Sequence, residues 1–178
     1  MRTRRLHIVG ASGAGVTTLG HALADALAIP HHDTDDYYWM PTTPPYRRRR
    51  DVADRLRLMH EMFVDRPDWV LSGSLDHWGG PVIAWFDLVA FVYVPTDIRL
   101  RRLRDREARR GWDHGETEEF IEWASHYNDG TREGRSLPRH EAWLTTLRCP
   151  VLRLDGTLPI GVLVERVVAA TIETRPSG

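Results

Sequence analysis

A short apolar segment, a glycine-rich loop and a helix follow one another near the start of the chain, and this succession restricts the possible folds most. The apolar run Leu6–Val9 has the length of a strand and is ended by Gly10. After the loop, good helix formers with leucines at helical spacing extend from Thr17 to Leu27. The pattern predicts a strand that passes through a tight loop directly into a helix, the repeating unit of α/β folds.

Four further strand-length segments continue this alternation. We predict strands at about 31–34, 69–71, 88–94 and 151–154 and helices at about 48–65, 95–110, 116–126 and 160–171. The segment Leu88–Val94 is apolar or aromatic at every position, as expected for a parallel strand covered on both faces. With 178 residues, the chain is expected to form one domain, residues 1–178. Its fold class would be α/β, a doubly wound five-stranded parallel sheet with helices on both faces.

The loop carries a motif with a defined chemistry. From Gly10 to Thr18 it matches the phosphate-binding pattern G-x-x-x-x-G-K-[ST], except that Val16 stands in the lysine position. In such loops backbone N–H groups and the positive end of the helix dipole bind phosphate, and the hydroxyl at the position of Thr17 binds Mg²⁺. We predict an ATP site at Gly10, Ser12, Gly13, Ala14, Gly15, Val16, Thr17 and Thr18. The alternative is a glycine-rich turn that binds nothing.

All 24 basic side chains of the protein are arginine, and lysine is absent. The positive charge that a lysine at position 16 would bring to the phosphates must therefore come from guanidinium groups or from the metal. The helix predicted at 95–110 carries seven arginines, of which Arg102 and Arg106 are four residues apart and share one face. These two can bind phosphate together, although a solvated helix face would have the same composition.

The segment Arg102-Leu-Arg-Asp-Arg106 resembles the start of the lid in nucleoside monophosphate kinases and shikimate kinase. The phosphate-binding loop, the acidic residues after the second strand and the closing segment Pro150–Gly156 fit the same family, over nearly the whole chain. The chain thus resembles the adenylate kinase-like and shikimate kinase-like P-loop small kinases. Its run Asp33–Trp39 is similar to the acidic-aromatic segment of topology-modulation-type proteins. The resemblance implies a P-loop NTPase fold with a helical lid at about 107–139 and an acceptor-binding segment at about 37–66.

The resemblance also implies roles for individual residues. Asp33 would lie near the Mg²⁺ bound by Thr17, and Asp35 would position or deprotonate the acceptor; the alternative is that these carboxylates only cap a turn. Charge on the transferred group would be neutralised by Arg102, Arg106 and Arg135. The acceptor would be bound by Asp33, Asp36, Arg55, Gly73 and Ser74. The chain departs from related kinases at the end of the third strand, where Ser72 replaces the usual acidic residue.

Composition excludes several other classes of protein. A single cysteine, Cys149, rules out a disulfide framework and a cysteine-based metal site. The net charge of −1 argues against a nucleic-acid-binding surface over the whole molecule. No apolar run is long enough to span a membrane and no secretory signal is evident, so we expect a cytoplasmic protein.

We expect the protein to transfer the γ-phosphoryl group of Mg-ATP to a nucleoside monophosphate or another small acceptor. Two other functions stay open from the sequence. A regulatory protein that binds nucleotide with little or no turnover would agree with Val16 and Ser72. A nucleic-acid-binding protein would use the run Arg47–Arg50 and the arginine-rich helix, and its affinity would fall steeply with salt. The oligomeric state is left open as well.

Overall fold

A five-stranded parallel sheet forms the centre of the molecule. The computed structural model describes residues 4–75, 77–110 and 113–173. The strands are β1 (Arg4–Gly10), β2 (His31–Asp33), β3 (Asp68–Ser72), β4 (Leu88–Tyr93) and β5 (Val151–Asp155). They lie in the order β2-β3-β1-β4-β5, and every neighbouring pair is parallel. The strand order reverses beside β1, which is where ligands bind in doubly wound sheets.

Helices connect and cover these strands. They are α1 (Val16–Leu27), α2 (Thr34–Tyr38), α3 (Val52–Met59), α4 (Gly80–Ile83), α5 (Thr96–Arg110), α6 (His114–Ser125), α7 (Leu137–Leu144) and α8 (Ile160–Glu173). α3 continues directly into one π-helical turn, His60–Val64. Among the helices of the described residues, none has the length and apolar character needed to cross a membrane.

Two apolar layers cover the two faces of the sheet, and β1 contributes to both. Leu6 and Ile8 belong to the layer that contains the buried residues of α1 and α8. Val9 belongs to the opposite layer, together with Met59 of α3 and Leu144 of α7. Side chains alternate between the faces along a strand, so a strand covered on both sides is apolar throughout. The arrangement confirms the predicted doubly wound α/β fold.

The sequence patterns do not predict the short helices α2, α4 and α7. α2 begins where only the end of a strand was expected, because the Asp33 carboxylate accepts a hydrogen bond from the N–H of Asp35 at 3.0 Å and caps the helix. Asp35 and Asp36 then lie in its first turn, where the helix dipole favours negative charge. Ser136 caps α7 in the same way by accepting from the N–H of Arg139. Helices this short carry too few apolar positions to show a helical period.

α3 begins at Val52, so the predicted helix start near Arg48 was wrong. Residues 48–50 instead pair antiparallel with residues 38–40 through two backbone hydrogen bonds of 2.8 Å, on either side of the bridge between Trp39 and Arg49. The helical spacing of the apolar residues was therefore correct for α3 itself. It did not reveal that the preceding arginines are held in extended backbone.

Candidate active site

The loop between β1 and α1 has the backbone geometry of an anion site. Gly13 and Gly15 have φ values of +81° and +91°, in the left-handed region that glycine adopts without strain. Space also requires glycine at position 13, because a Cβ there would lie 2.7 Å from the backbone oxygen of Arg99 in α5. α1 begins at Val16 with no side-chain cap and no acidic residue in its first turn. Its N-terminal N–H groups are therefore not already paired with a negative side chain of that turn.

Thr17 and Asp33, the predicted metal ligands, are in contact at the start of α1. The Thr17 hydroxyl donates to Asp33 Oδ2 at 2.8 Å, and the N–H of Asp35 donates to Asp33 Oδ1 at 3.0 Å. Hydroxyl and carboxylate oxygens are ligands that Mg²⁺ prefers in proteins. The donor set thus fits a magnesium ion beside the phosphate-binding loop.

Ser72, at the end of β3, adjoins this pair. β2 and β3 are aligned with Asp33 opposite Ser72, and Ser72 Oγ donates to Asp33 Oδ2 at 3.3 Å. His31 Nε2 lies 2.9 Å from the same Oγ. Burial and the neighbouring His21 lower the pKa of His31 to about 4, so its imidazole is neutral at pH 7. Sequence reasoning missed His31 because its contact depends on the register of two strands that are distant in sequence.

Arg102 and Arg106 of α5 lie at different parts of the site. Arg102 Nη2 donates to the backbone oxygen of Gly156 at 3.1 Å, and its Nη1 lies 3.9 Å from where a Cβ on Gly15 would be. The guanidinium carbon of Arg106 is 5.8 Å from the centroid of the Phe120 ring. Arg102 therefore flanks the phosphate-binding loop, whereas Arg106 adjoins a cavity that Phe120 lines.

Arg99, which has no predicted role, is a fully buried cation next to the loop. Its guanidinium donates to the backbone oxygens of Ser12 and Val94, each at 3.2 Å, and of Ala124 at 3.3 Å. The centroid of the Tyr127 ring lies 5.0 Å from its guanidinium carbon. Arg99 therefore joins the phosphate-binding loop, the end of β4 and α6. The sequence does not reveal this role, because α5 contains seven arginines and nothing local distinguishes Arg99 from the others. Its burial is decided by tertiary packing.

A cavity of about 710 Å³ opens beside α2. Its walls come from α2, α3, the segment after β3, α6 and residues 133–135. Five aromatic side chains line it: Tyr38, Trp39, Trp78, Phe120 and Trp123. Among the residues that the structure describes, its charged lining consists of Arg49, Arg55, Arg135, Asp35 and Glu133. This described lining offers ring faces for stacking and more positive than negative groups.

Arg55 is fixed at the cavity wall by two aromatic rings. Its guanidinium carbon lies 3.8 Å from the ring centroid of Tyr38 and 5.2 Å from that of Trp78. Its Nε donates to the backbone oxygen of Arg50 at 2.7 Å, and the whole residue is only 6% exposed. Stacking and the Nε hydrogen bond orient the guanidinium plane, which pre-organises it for binding an anion.

Asp35 belongs to both the metal-ligand cluster and the cavity. Its backbone N–H binds Asp33, while its side chain lines the cavity and reaches solvent there. The enclosing walls raise the pKa of Asp35 above its usual value, and the charge of Asp33 adds to the rise; Arg135 and Arg106 oppose it. A carboxylate in this position is suited to orient an acceptor hydroxyl or to take its proton.

The other predicted acceptor residues divide into two groups. Ser74 lines the cavity, as Arg55 does, and so does Arg135, which was predicted to neutralise charge on the transferred group. Asp36 is exposed on α2 and is not among the described residues of the lining. Gly73 has a φ of +110°, and a Cβ there would lie 1.9 Å from Thr34 Oγ1, so packing alone requires glycine. The predicted lid contains positions 111 and 112, which lie outside the described residues.

The fold of this chain is similar to that of several small kinases of known structure. A sugar kinase from Janibacter sp. HTCC2649 is similar over 94% of this chain and 93% of its own, with a TM-score of 0.54 and 19% identity. Shikimate kinase from Bacteroides thetaiotaomicron is similar over 95% and 98%, with a TM-score of 0.56 and 21% identity. A gluconokinase from Sinorhizobium meliloti 1021 is similar over 97% and 94%, with a TM-score of 0.56 and 17% identity. At these identities the likeness is one of fold.

The sequence comparison identifies the family. The chain is 38% identical over 173 residues to YqaC of Bacillus subtilis (strain 168), which is described as an uncharacterized protein. The alignment covers 93% of this chain and 96% of YqaC, so the chain belongs to the YqaC family. No model of a protein family matches it.

Proposed function

We propose that the protein transfers the γ-phosphoryl group of Mg-ATP to a small acceptor bound in the aromatic cavity. One observation carries this proposal: the start of α2 belongs to both halves of the site. Asp33 contacts Thr17 beside the phosphate-binding loop, and Asp35 lines the cavity two residues later. A phosphate donor on the loop and an acceptor in the cavity would therefore meet at these carboxylates. All five strands belong to one sheet, which supports treating the whole chain as one catalytic domain.

In this proposal the loop from Gly10 to Thr18 binds the phosphates of ATP. Thr17 and Asp33 would hold the Mg²⁺, which supplies positive charge to the phosphates when it is bound. Because Val16 stands in the lysine position, the remaining charge would come from arginine. Arg102 flanks the loop and Arg135 lines the cavity that Asp35 also lines, so both would supply charge near the path of the transferred group. Arg106, whose Nε donates to Glu107 Oε1 at 2.6 Å, would be the third.

The lining of the cavity favours a small anionic acceptor with a ring. Aromatic faces can stack on a ring, and within the described part of the lining Arg49, Arg55 and Arg135 outnumber the carboxylates of Asp35 and Glu133. Residues of both the predicted acceptor-binding segment and the predicted lid line the cavity. A nucleoside monophosphate fits this description first, and a small hydroxylated metabolite with an acidic group fits it second.

A second candidate is a regulatory protein that binds Mg-ATP with little turnover. It is favoured by Val16 in the lysine position and by Ser72 in place of an acidic residue at the end of β3. Nucleic-acid binding has less support, because the arginine run is partly engaged within the chain. Arg47 pairs with Glu116 at 2.7 Å, and Arg50 donates to backbone oxygens of the acceptor-binding segment.

The test is ADP formation from Mg-ATP by the purified protein, with nucleoside monophosphates and small hydroxylated acids offered one at a time. We expect one acceptor to increase the rate, and Asp35→Asn to lower that rate by about 100-fold or more. Asp54→Asn is the matched control, because it removes the charge of an exposed carboxylate whose ion pair, with Arg57 at 3.2 Å, lies on the surface. ADP formation that no acceptor increases, in a protein that binds Mg-ATP, would favour the regulatory function instead.

A further inference from the structure

A chain of hydrogen bonds links His31 through Ser72 to the Asp33 carboxylate. Asp33 is the last residue of β2, Ser72 the last residue of β3, and the two are aligned in the sheet. Ser72 Oγ lies 3.3 Å from Asp33 Oδ2, and His31 Nε2 lies 2.9 Å from Ser72 Oγ. Ser72 is fully buried, so within the described residues these contacts, and not bulk water, define the surroundings of its hydroxyl.

The chemistry of Asp33, Ser72 and His31 determines which group donates in each of the two hydrogen bonds. An ionised carboxylate only accepts hydrogen bonds, so the single proton of the Ser72 hydroxyl is donated to Asp33. Ser72 Oγ then accepts, and the proton between Ser72 and His31 lies on His31 Nε2. The reverse arrangement would turn the lone pairs of the hydroxyl toward the carboxylate. His31 thereby makes Ser72 a donor toward Asp33.

The helix that carries Thr17 also makes room for His31. Gly20 lies three residues after Thr17 in α1 and so on the same face. A Cβ at Gly20 would be 2.5 Å from His31 Nε2 and 3.2 Å from the Cβ of Ser72. A larger residue at this position would displace the imidazole from Ser72. Residues of α1, β2 and β3 therefore all contribute to the contact between His31 and Ser72.

We propose that His31 and Ser72 are positioning residues that fix the Asp33 carboxylate for the Mg²⁺ of bound ATP. Related kinases carry an acidic residue at the end of β3, where this chain has Ser72. Here the hydrogen bonds from His31 to Ser72 and from Ser72 to Asp33 would instead hold the metal-binding carboxylate in place. This inference rests on the proposed function, because it concerns the same metal site. Neither residue contacts the phosphates or the acceptor in this account.

The experiment measures ATP affinity by calorimetry with and without Mg²⁺ for the wild type and four variants: His31→Leu, His31→Gln, Ser72→Ala and the double variant His31→Leu/Ser72→Ala. His31→Leu and Ser72→Ala should each raise the half-saturating Mg²⁺ concentration by about tenfold. ATP affinity without Mg²⁺ should stay within about twofold, since the loop is untouched. His31→Gln retains an N–H donor and should recover most of the Mg²⁺ affinity. The double variant should be no worse than either single variant, because both act through one hydrogen-bond chain.

Three results would overturn the inference. The first is an unchanged Mg²⁺ dependence in His31→Leu and Ser72→Ala. The second is an equal loss of affinity with and without Mg²⁺, which indicates general damage to the fold. The third is additive losses in the double variant. A wild-type protein that binds no Mg-ATP at all would instead overturn the proposed function and this inference with it, so the two failures are distinguishable.

Discussion

Acidification from pH 7 to pH 5 should destabilise the protein through His7, which lies in the middle of β1. The residue is fully buried, and its ring stacks on Phe86 with centroids 4.6 Å apart. Its Nδ1–H donates to the backbone oxygen of Leu71 at 3.1 Å. Burial lowers the pKa of His7 from 6.5 to about 3, despite the opposing effect of that hydrogen bond. The folded protein therefore keeps His7 neutral at any pH near neutrality.

The sign and size of the effect follow from proton linkage. The unfolded chain binds a proton at His7 below about pH 6.5, whereas the folded chain does not until about pH 3. The stability associated with neutral His7 is thus fully present above pH 6.5 and is lost as the pH falls from 6.5 to 3. The loss approaches about 1.4 kcal/mol per pH unit, which amounts to about 2 kcal/mol between pH 7 and pH 5.

Urea denaturation followed by tryptophan fluorescence at pH 7 and pH 5 measures this loss. The matched variant is His7→Leu, which fills similar space and does not titrate. We expect the free energy of unfolding of the wild type to fall by about 2 kcal/mol more than that of the variant. His31 and His32, whose pKa values burial also lowers, are present in both proteins and cancel in the comparison. An equal pH dependence of the two proteins would refute the reasoning.

Three further predictions concern the phosphate-binding loop. Thr17→Ala removes a predicted metal ligand and should weaken Mg-ATP binding by at least about tenfold in calorimetry; an unchanged affinity would contradict the assignment. Val16→Lys should raise turnover little if arginines already supply the missing charge, and a large rise would show that the natural loop is impaired. Gly13→Ala places a Cβ at φ +81° and 2.7 Å from the backbone oxygen of Arg99. It should lower the free energy of unfolding by at least about 1–2 kcal/mol, and full stability in urea denaturation would argue against this loop geometry.

The parts of the fold that the sequence predicts are those with a local signal. Strands such as Leu88–Val94 are apolar runs of strand length, and α1 follows a glycine-rich loop with leucines at helical spacing. α2 is five residues long and depends on one cap, the Asp33 side chain, so no periodic pattern reveals it. The chain before α3 is extended because it pairs with residues 38–40, a tertiary contact that outweighs the local pattern.

In the candidate site, too, the residues with a local sequence signal could be predicted and those placed by tertiary contacts could not. The closeness of Thr17 and Asp33 was expected, because the loop motif assigns Thr17 to the metal and the family resemblance places Asp33 near it. The contact of His31 with Ser72 depends on how β2 is aligned with β3. This alignment cannot be predicted from the residues of either strand alone. Arg99 is similar, because its burial is decided by where Ser12 and α6 lie and not by its own neighbours in sequence.

The most direct test of the proposed function follows the γ-phosphoryl group itself. ATP labelled at the γ-phosphate would be incubated with the protein, Mg²⁺ and the acceptor that most increases ADP formation, and the labelled products would be separated. The proposal predicts that the label appears in the phosphorylated acceptor in equal amount to the ADP formed. Label found only in inorganic phosphate, or retained in ATP that the protein demonstrably binds, would contradict phosphoryl transfer to an acceptor.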